Sequence, residues 1–189
     1  MNVYDFDQTI YEPDSSYSFF LHCLKYHTRP VLAVLPESLI LLIKQKRGKV
    51  ETAVLKEQLF SFLPYLSSVD AEVERFWKTH RQIIGQWYLE QKRDDDIIIS
   101  ASPEFLLRPM AEALGVHLIA TPMDPYSGKI RGRNCHDREK VRRFREAFPD
   151  AHVDLFYSDS LSDAPMAALA DEAFLVRKGK CIPWPKSGR

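Results

Sequence analysis

The chain of 189 residues lacks an excess of charge of either sign, and it has only three cysteines. Its 26 basic and 26 acidic residues give a formal net charge of zero, so composition gives no reason to expect nucleic-acid binding, which depends on neutralising phosphates. The three cysteines are far apart and odd in number, which argues against a disulfide framework and favours a reducing cytoplasm. We expect no signal peptide, because the first residues run directly into an acidic motif.

The sequence also lacks a long uninterrupted apolar run. The longest apolar stretch, Val31–Ile43, contains Pro36, Glu37 and Ser38, and it falls short of the roughly 18–20 apolar residues that span a bilayer. We therefore expect no transmembrane segment. The three interrupting residues predict two short helices joined by a turn and packed inside the protein. The alternative is an outward-facing segment that contacts a membrane surface or a partner.

The remaining pattern divides the chain into two unequal parts. From Asp14 to Gln91, apolar residues recur at helical spacing. After residue 95, β-branched runs alternate with helical patterns, which is typical of a parallel sheet. We predict an α/β fold, a Rossmann-like doubly wound parallel sheet (residues 1–13 and 94–189) with an inserted all-helical cap (residues 14–93). The predicted strands are 3–6, 96–100, 116–120, 155–158 and 173–176; the predicted helices of the core are 103–114, 137–148 and 164–169, with a hairpin at 124–133.

Two pairs of carboxylates follow predicted strands. Asp5 and Asp7 end the first strand, and Asp159 and Asp163 follow the strand at 155–158. The carboxyl ends of parallel strands share one edge of the sheet, where open α/β folds place their active sites. Four carboxylates at close range require a cation, and an all-oxygen set suits Mg²⁺. The sequence thus predicts a Mg²⁺-dependent enzyme that acts on phosphate.

Four motifs in order resemble those of the haloacid dehalogenase-like superfamily, in the branch similar to phosphoserine phosphatase. The resemblance covers nearly the whole chain and implies a helical C1-type cap inserted after the first motif. The motifs are Asp5-Phe6-Asp7-Gln8-Thr9, then Ile97-Ile98-Ile99-Ser100, then Lys140 within Asp137-Arg138-Glu139-Lys140-Val141, and finally Asp159 to Asp163.

The resemblance also implies a reaction, the hydrolysis of a small phosphorylated metabolite through an aspartyl-phosphate. Asp5 would attack phosphorus, and Asp7 would protonate the leaving alcohol and then activate water. Lys140 would neutralise charge on Asp5 and the phosphate. Mg²⁺ would be held by Asp5, the backbone carbonyl of Asp7 and Asp159, while Asp163 would bind it through water or orient Lys140.

The same resemblance assigns the substrate-binding side of the site. Ser100 and the amide of Ala101 would hold the phosphoryl oxygens, with Ser102 as the competing hydroxyl. Asp14 stands nine positions after Asp5, where phosphoserine phosphatases carry an acidic residue that reads the substrate amine. The resemblance therefore makes Asp14 a candidate substrate-binding residue.

Three positions leave alternatives open. Arg138 competes with Lys140 for the third motif. Cys135-His136-Asp137 resembles a nucleophile or metal cluster, although the carboxylate set fits the chemistry better. Many family members have glycine where this chain has Gln8; glycine eases the turn, and glutamine removes no catalytic group.

Three other functions are compatible with parts of the sequence. Val31–Ile43 and Tyr157-Ser158-Asp159-Ser160 resemble segments of bacterial phosphatidylglycerophosphate phosphatases of this superfamily, so the substrate could be a lipid headgroup. A phosphate-binding module without turnover is a second alternative. A dehalogenase is the third, and Asp7 disfavours it because dehalogenases of this superfamily need only the first aspartate.

Overall fold

A computed structural model describes residues 1–185, in which a six-stranded sheet forms the centre of the protein. The strand order is β3-β2-β1-β4-β5-β6, with all neighbouring strands parallel except β6, which is antiparallel to β5. The predicted α/β fold is confirmed. The strands are β1 (Asn2–Tyr4), β2 (Ile97–Pro103), β3 (His117–Thr121), β4 (Val153–Ser158), β5 (Ala170–Arg177) and β6 (Lys180–Pro183).

Five α-helices lie between β1 and β2 in the sequence, and we refer to residues 15–91 as the helical insertion. Helix α1 begins where the Asp14 side chain accepts a hydrogen bond from the Tyr17 amide at 2.8 Å, and Ser68 begins α4 in the same way. The helices are α1 (Ser15–Tyr26), α2 (Thr28–Lys46), α3 (Thr52–Leu59), α4 (Val69–His80), α5 (Gln86–Gln91), α6 (Glu104–Leu114), α7 (Arg138–Ala147) and α8 (Ala164–Ala167).

Successive residues of β1 point to opposite faces of the sheet, and both faces are covered. Val3 lies between Ile97 of β2 and Phe156 of β4, and all three belong to a core completed by Phe144 of α7 and Met166 of α8. The next residues along the same strands, Tyr4, Ile98 and Tyr157, belong to a second core that continues into α6 and the helical insertion. The buried apolar runs of the sequence follow from this two-sided burial.

The topology brings the sequence motifs to one place. Strands β2 and β3 lie on one side of β1, and β4 and β5 lie on the other, so the strand order reverses at β1. A crevice at such a reversal is where α/β folds bind ligands. The segments that follow β1 and β4 contain Asp5 and Asp159, and β2 contains Ser100 where its pairing with β3 shifts register.

One prediction about the helical insertion is wrong. Val31–Ile43 does not form two short helices; it lies within the single helix α2, which continues through Pro36. Proline removes one backbone donor but has a helical φ angle, and the Ser38 hydroxyl donates to the Val34 carbonyl at 2.7 Å within the same turn. Nor is the stretch packed inside: Val31, Val34 and Ser38 are buried, whereas other members of the run are exposed.

The predicted hairpin at 124–133 is also wrong in part. The segment turns at Asp124, whose side chain accepts from the Tyr126 amide and the Ser127 hydroxyl, but its antiparallel pairing is limited to a single bridge between Met123 and Ile130. The sequence interpretation missed β6, and it placed only the second half of β5.

Candidate active site

The carboxyl edge of the sheet opens into a cavity of about 340 Å³ between the strands and the helical insertion. Every predicted site residue lines this cavity, including the four aspartates, Asp14, the serine pair and Lys140. Helices α1 and α3 supply the opposite wall. The residues from that wall are Ser16, Tyr17, Phe20, Thr52, Leu55, Lys56, Leu59 and Phe60.

Asp5 is buried immediately after β1 and is held by Lys140 of the third motif and by Thr9 of its own motif. The Lys140 ammonium lies 2.6 Å from its Oδ1, and the Thr9 hydroxyl donates to its Oδ2 at 3.3 Å. The Thr9 oxygen in turn accepts from the Asp159 amide at 2.9 Å. Burial raises the pKa of Asp5 to about 7, against the opposing charge of Lys140. Thr9 thus ties the first motif directly to the fourth.

Lys140 is an ammonium shared by two carboxylates. It is 2% exposed, and its Nζ lies 2.7 Å from Asp163 Oδ2 as well as 2.6 Å from Asp5. The Ser158 hydroxyl donates to the same Asp163 oxygen at 2.7 Å. Burial opposes the charge of Lys140, but the two aspartates outweigh it and raise its pKa. Arg138, the competing candidate, is exposed to solvent.

Asp7 lies in the same cavity with a different set of partners. It accepts hydrogen bonds from the Ser15 amide at 2.7 Å and the Ser102 hydroxyl at 2.5 Å. In the part of the chain that the structure describes, the ammonium of Lys140 bonds to Asp5 and Asp163 and not to Asp7. Its side chain is partly exposed to the cavity. Loss of water and the charge of Asp14 raise its pKa to about 6, in spite of these hydrogen bonds.

Strand β2 contributes the hydroxyls of Ser100 and Ser102 to the cavity. Ser100 is buried, and its oxygen accepts from the Ser102 amide at 3.1 Å. The Ser102 hydroxyl is already engaged with Asp7 and lies 3.1 Å and 2.9 Å from the hydroxyls of Ser15 and Ser16. Ser102 therefore positions Asp7, which leaves Ser100 as the hydroxyl beside the open cavity.

Asp159 completes the acidic side of the cavity. Burial and the nearby charge of Asp163 raise its pKa, and Arg177 donates to its backbone carbonyl. Among residues 1–185, Lys140 is the ammonium that the carboxylates of Asp5 and Asp163 share, and the charges of Arg177 and Lys140 also act on Asp159. This excess of negative oxygen, with no nitrogen or sulfur donor among the predicted ligands, is the chemistry that a hard divalent cation prefers.

Asp14 has a structural role that its spacing did not reveal. Its carboxylate begins α1 by accepting from the Tyr17 amide at 2.8 Å. It also lines the cavity and acts on the titration of Asp7. These contacts do not bear on the recognition of a substrate amine, the role that the resemblance implies for Asp14.

Lys56 is the site residue that sequence reasoning missed. From α3, its ammonium donates to the Ala101 carbonyl at 2.5 Å and to Asn134 Oδ1 at 3.0 Å. The Thr121 hydroxyl contacts the same two oxygens. The sequence contained an indication of this role. Lys56 lies among Leu55, Leu59 and Phe60, and the ammonium of a lysine in apolar surroundings must reach water or a polar group.

The cluster at residues 135–137 does not form a catalytic centre of its own. Cys135 is buried with its amide bonded to the Thr121 hydroxyl at 2.9 Å, and burial raises the pKa of its thiol to about 11. A thiol with a raised pKa is a poor nucleophile. His136 is exposed at the edge of the cavity.

Comparison with known proteins agrees with the fold and the motifs. The family model of haloacid dehalogenase-like hydrolases matches residues 3–168. The protein CicA of Caulobacter vibrioides is 29% identical over 94% of this chain and 86% of its own length.

Solved structures share the architecture as well. A protein of unknown function from Bordetella pertussis superposes with a TM-score of 0.75 at 24% identity, over 93% of this chain and 88% of its own. A phosphoserine phosphatase, solved as an analogue of its phospho-aspartyl intermediate, superposes with a TM-score of 0.57 at 14% identity, over 92% of this chain and 84% of its own. With the family model covering most of the sequence and the motifs gathered in one cavity, the chain belongs to the haloacid dehalogenase-like hydrolases and has the fold of their phosphoserine phosphatase-like branch.

Proposed function

We propose that the chain is a Mg²⁺-dependent phosphatase that hydrolyses a small phosphomonoester through an aspartyl-phosphate on Asp5. The main support for the proposal is that the two aspartates of the first motif have different hydrogen-bond partners. Asp5 contacts the ammonium of Lys140, whereas Asp7 is held only by neutral donors. Two carboxylates with such different surroundings suit two different roles in one reaction.

The first step uses Asp5 as the nucleophile. A carboxylate oxygen of Asp5 forms a bond to phosphorus while the bond from phosphorus to the substrate oxygen breaks. Lys140 opposes the rise in the pKa of Asp5 that burial causes, and it reduces the repulsion between two anions. Asp163 and Ser158 hold Lys140 in place from the other side.

Asp7 acts on the leaving group and then on water. With a pKa raised to about 6, it holds a proton often enough to donate it to the departing alkoxide and is then ready to take one from water. That water attacks phosphorus, the bond to Asp5 breaks, and inorganic phosphate is released. The hydrogen bonds from Ser15 and Ser102 fix the direction in which Asp7 faces.

The donor set of the cavity fits Mg²⁺. Asp5, Asp159 and the backbone carbonyl of Asp7 would hold the ion, while Asp163 would bind it through water or orient Lys140. When bound, Mg²⁺ would draw charge from the phosphoryl oxygens and offset the repulsion between them and the aspartates. Burial and, to a lesser extent, the charge of Asp163 raise the pKa values of Asp5 and Asp159, and a bound cation would offset both effects.

The cavity also supports a small phosphorylated substrate. Ser100 and the amide of Ala101 would hold the phosphoryl oxygens, and Asp14 and Lys56, which line the same cavity, would face the rest of the substrate. The helical insertion then serves as a cap, with residues 14–93 as one unit and residues 1–13 and 94–189 as the other. Its wall of Phe20, Leu55 and Leu59 limits the room above the phosphate.

The cellular setting is part of the proposal. Cys23, Cys135 and Cys181 form no disulfide in the described chain, which agrees with the reducing cytoplasm. Within residues 1–185, no helix combines the length and the apolar character needed to cross a membrane. We expect the partner of the site to be a phosphorylated small molecule rather than a nucleic acid.

A lipid-headgroup phosphatase is the second candidate, favoured by the apolar side chains that α2 presents to solvent. The two candidates share their chemistry and differ in substrate. A phosphorylated lipid turned over faster than every water-soluble phosphate in a panel would select the second candidate.

The experiment that tests the phosphatase is hydrolysis of p-nitrophenyl phosphate with Mg²⁺ and with EDTA, followed by a panel of phosphorylated metabolites. We expect activity that requires the metal and falls by about 10³-fold or more in Asp5→Asn. Full activity in EDTA, or in Asp5→Asn, would contradict the mechanism. A chain that binds phosphate and turns over none of the panel would be the non-catalytic module.

A further inference from the structure

Helix α2 is apolar on the side that packs and also on the side that faces solvent. Val31, Val34 and Ser38 are buried against the protein, whereas Leu32, Leu39 and Ile43 on the opposite side are 49%, 60% and 46% exposed. A surface helix normally presents polar residues to water. The exposed residues are therefore unexplained by the packing of the protein itself.

These side chains form a continuous stripe along the helix. Leu32, Pro36, Leu39 and Ile43 recur at intervals of three and four residues, which places them on one face. Ile40 is 53% exposed and widens the stripe on one side. We call these five residues the apolar stripe. A patch of this kind on a soluble protein marks a surface that contacts something else.

The ends of the apolar stripe are basic. Arg29 and Arg47 are about five turns apart, so they lie on the same side of the helix at opposite ends. Lys44 and Lys46 add to the second end, and all four are exposed. None of them forms an ion pair with any residue in 1–185. Glu37 is the one acidic residue of α2, and helical spacing places it away from the centre of the stripe.

We propose that α2 docks on the surface of an anionic lipid bilayer, with its axis in the membrane plane and the apolar stripe inserted among the lipids. An exposed apolar face with basic residues around it is the pattern of helices that lie at a membrane interface. The basic ends would contact the anionic headgroups. The helix has 19 residues, which makes it about 28 Å long, and the apolar stripe from Leu32 to Ile43 covers about 17 Å of that length.

Charge decides against a second copy of the chain as the occupant. In an antiparallel pair of α2 helices, Arg29 of one copy would meet Lys46 and Arg47 of the other. In a parallel pair, each basic end would meet itself. Either arrangement places like charges together at both ends of the contact, whereas an anionic membrane complements them. The inference does not depend on the proposed reaction or on its substrate.

The test is co-sedimentation with vesicles of phosphatidylcholine and with vesicles of equimolar phosphatidylcholine and phosphatidylglycerol. We expect the protein to bind the anionic vesicles and to bind vesicles of phosphatidylcholine alone only weakly. Binding to the anionic vesicles should weaken at high salt, where charges are screened. The double variant Leu39→Gln/Ile43→Gln should reduce partitioning by about tenfold or more. A charge variant, Lys44→Gln/Lys46→Gln/Arg47→Gln, should abolish the preference for anionic lipid.

The matched control is Leu89→Gln/Ile182→Gln, which makes the same chemical change at residues that are 43% and 46% exposed elsewhere. It should bind vesicles as the unmodified protein does. Circular dichroism and turnover of p-nitrophenyl phosphate show that each variant is folded. Equal binding to both vesicle types, or undiminished binding by Leu39→Gln/Ile43→Gln, would overturn the proposal. So would a protein that ignores vesicles and forms a dimer which this variant dissociates.

Discussion

Lys56 donates a hydrogen bond of 2.5 Å to the backbone carbonyl of Ala101, and this contact joins the helical insertion to the end of strand β2. The second acceptor of its ammonium is Asn134 Oδ1 at 3.0 Å. Within residues 1–185 no carboxylate pairs with Lys56, and loss of water lowers its pKa. A cation held only by neutral oxygens beside the cavity is placed to attract an anionic substrate.

We therefore predict that Lys56→Met lowers kcat/KM by about 10²-fold or more, mainly through a higher KM, because the substrate loses an attractive charge. Stability should change little, since methionine fills the volume and removes a poorly solvated charge. Steady-state kinetics and thermal melting measure the two effects. Lys78→Met, at an exposed lysine of α4, is the control. Kinetics within about twofold of the unmodified enzyme would remove Lys56 from the site.

A second prediction separates the two candidates for the third motif. Lys140→Met should lower kcat by about 10²–10³-fold, because Asp5 and the transferred phosphoryl group lose their neutralising charge. It should also destabilise the protein by about 3–5 kcal/mol, since two buried carboxylates lose their partner. Arg138→Met should leave both quantities nearly unchanged, because Arg138 is exposed. If Arg138→Met proved the more damaging, the third motif would be misplaced.

A third prediction concerns the turn after β1. Gln8 has a φ angle of +57°, in the left-handed region where a side chain is strained and glycine is not. Gln8→Gly should raise the free energy of unfolding by about 0.5–1 kcal/mol, measured by urea denaturation. Gln8→Ala should give no such gain. A loss of stability in Gln8→Gly would mean that the glutamine side chain contributes more than the turn costs.

A fourth prediction concerns pH and the helical insertion. The buried carboxylate of Glu72 lies 3.0 Å from His27 Nε2 and 3.2 Å from Arg75 Nη1. Burial acts to raise its pKa, but these partners outweigh burial and lower it below the ordinary 4.5. The folded state then binds the proton more weakly than the unfolded chain, so Glu72 stabilises the fold above pH 4.5, and this stabilisation is lost as the pH falls through the lowered pKa.

Glu72→Gln should accordingly reduce the free energy of unfolding by about 1–3 kcal/mol near neutral pH. The difference from the unmodified protein should shrink at acid pH, where Glu72 is protonated in both states. Thermal melting across a pH series measures it, and Glu74→Gln, at an exposed neighbour, should show no such trend. A difference that stays constant with pH would show that packing, rather than charge, accounts for the loss.

The sequence predicted the sheet and the gathering of the motifs because both follow from short-range patterns. Ile97, Ile98 and Ile99 are β-branched and buried on both faces of the sheet, which is typical of a parallel strand. The carboxyl ends of parallel strands lie at the same edge of the sheet. Carboxylates at two such ends must meet if the strands are neighbours, and β1 and β4 are neighbours. The predicted membership of the haloacid dehalogenase-like hydrolases is confirmed by the family model that matches residues 3–168, and the aspartates of its first and fourth motifs follow β1 and β4.

The helical insertion was less predictable because tertiary contacts decide its details. Pro36 breaks an isolated helix, but Val31 and Val34 pack one side of a continuous helix against the protein and hold it together. Lys56 acquires its role from Ala101 and Asn134, which are distant in sequence and reach it only through the fold. No local sequence pattern predicts which lysine of a helix will face a cavity.

The central claim is that Asp5 becomes phosphorylated, and its most direct measurement is the recovery of phosphate on Asp5. A single turnover in water enriched in oxygen-18 is the companion measurement: water attacks phosphorus rather than the Asp5 carbonyl carbon, so phosphate should gain the label and the Asp5 carboxylate should not. Asp7→Asn supplied with p-nitrophenyl phosphate, whose leaving group departs without needing a proton, should be slowed mainly at the second step. Acid quenching and peptide mass spectrometry should then find phosphate on the peptide that contains Asp5, and none in Asp5→Asn. A phosphopeptide at Ser100 or His136, or turnover by Asp5→Asn at the rate of the unmodified enzyme, would contradict this mechanism.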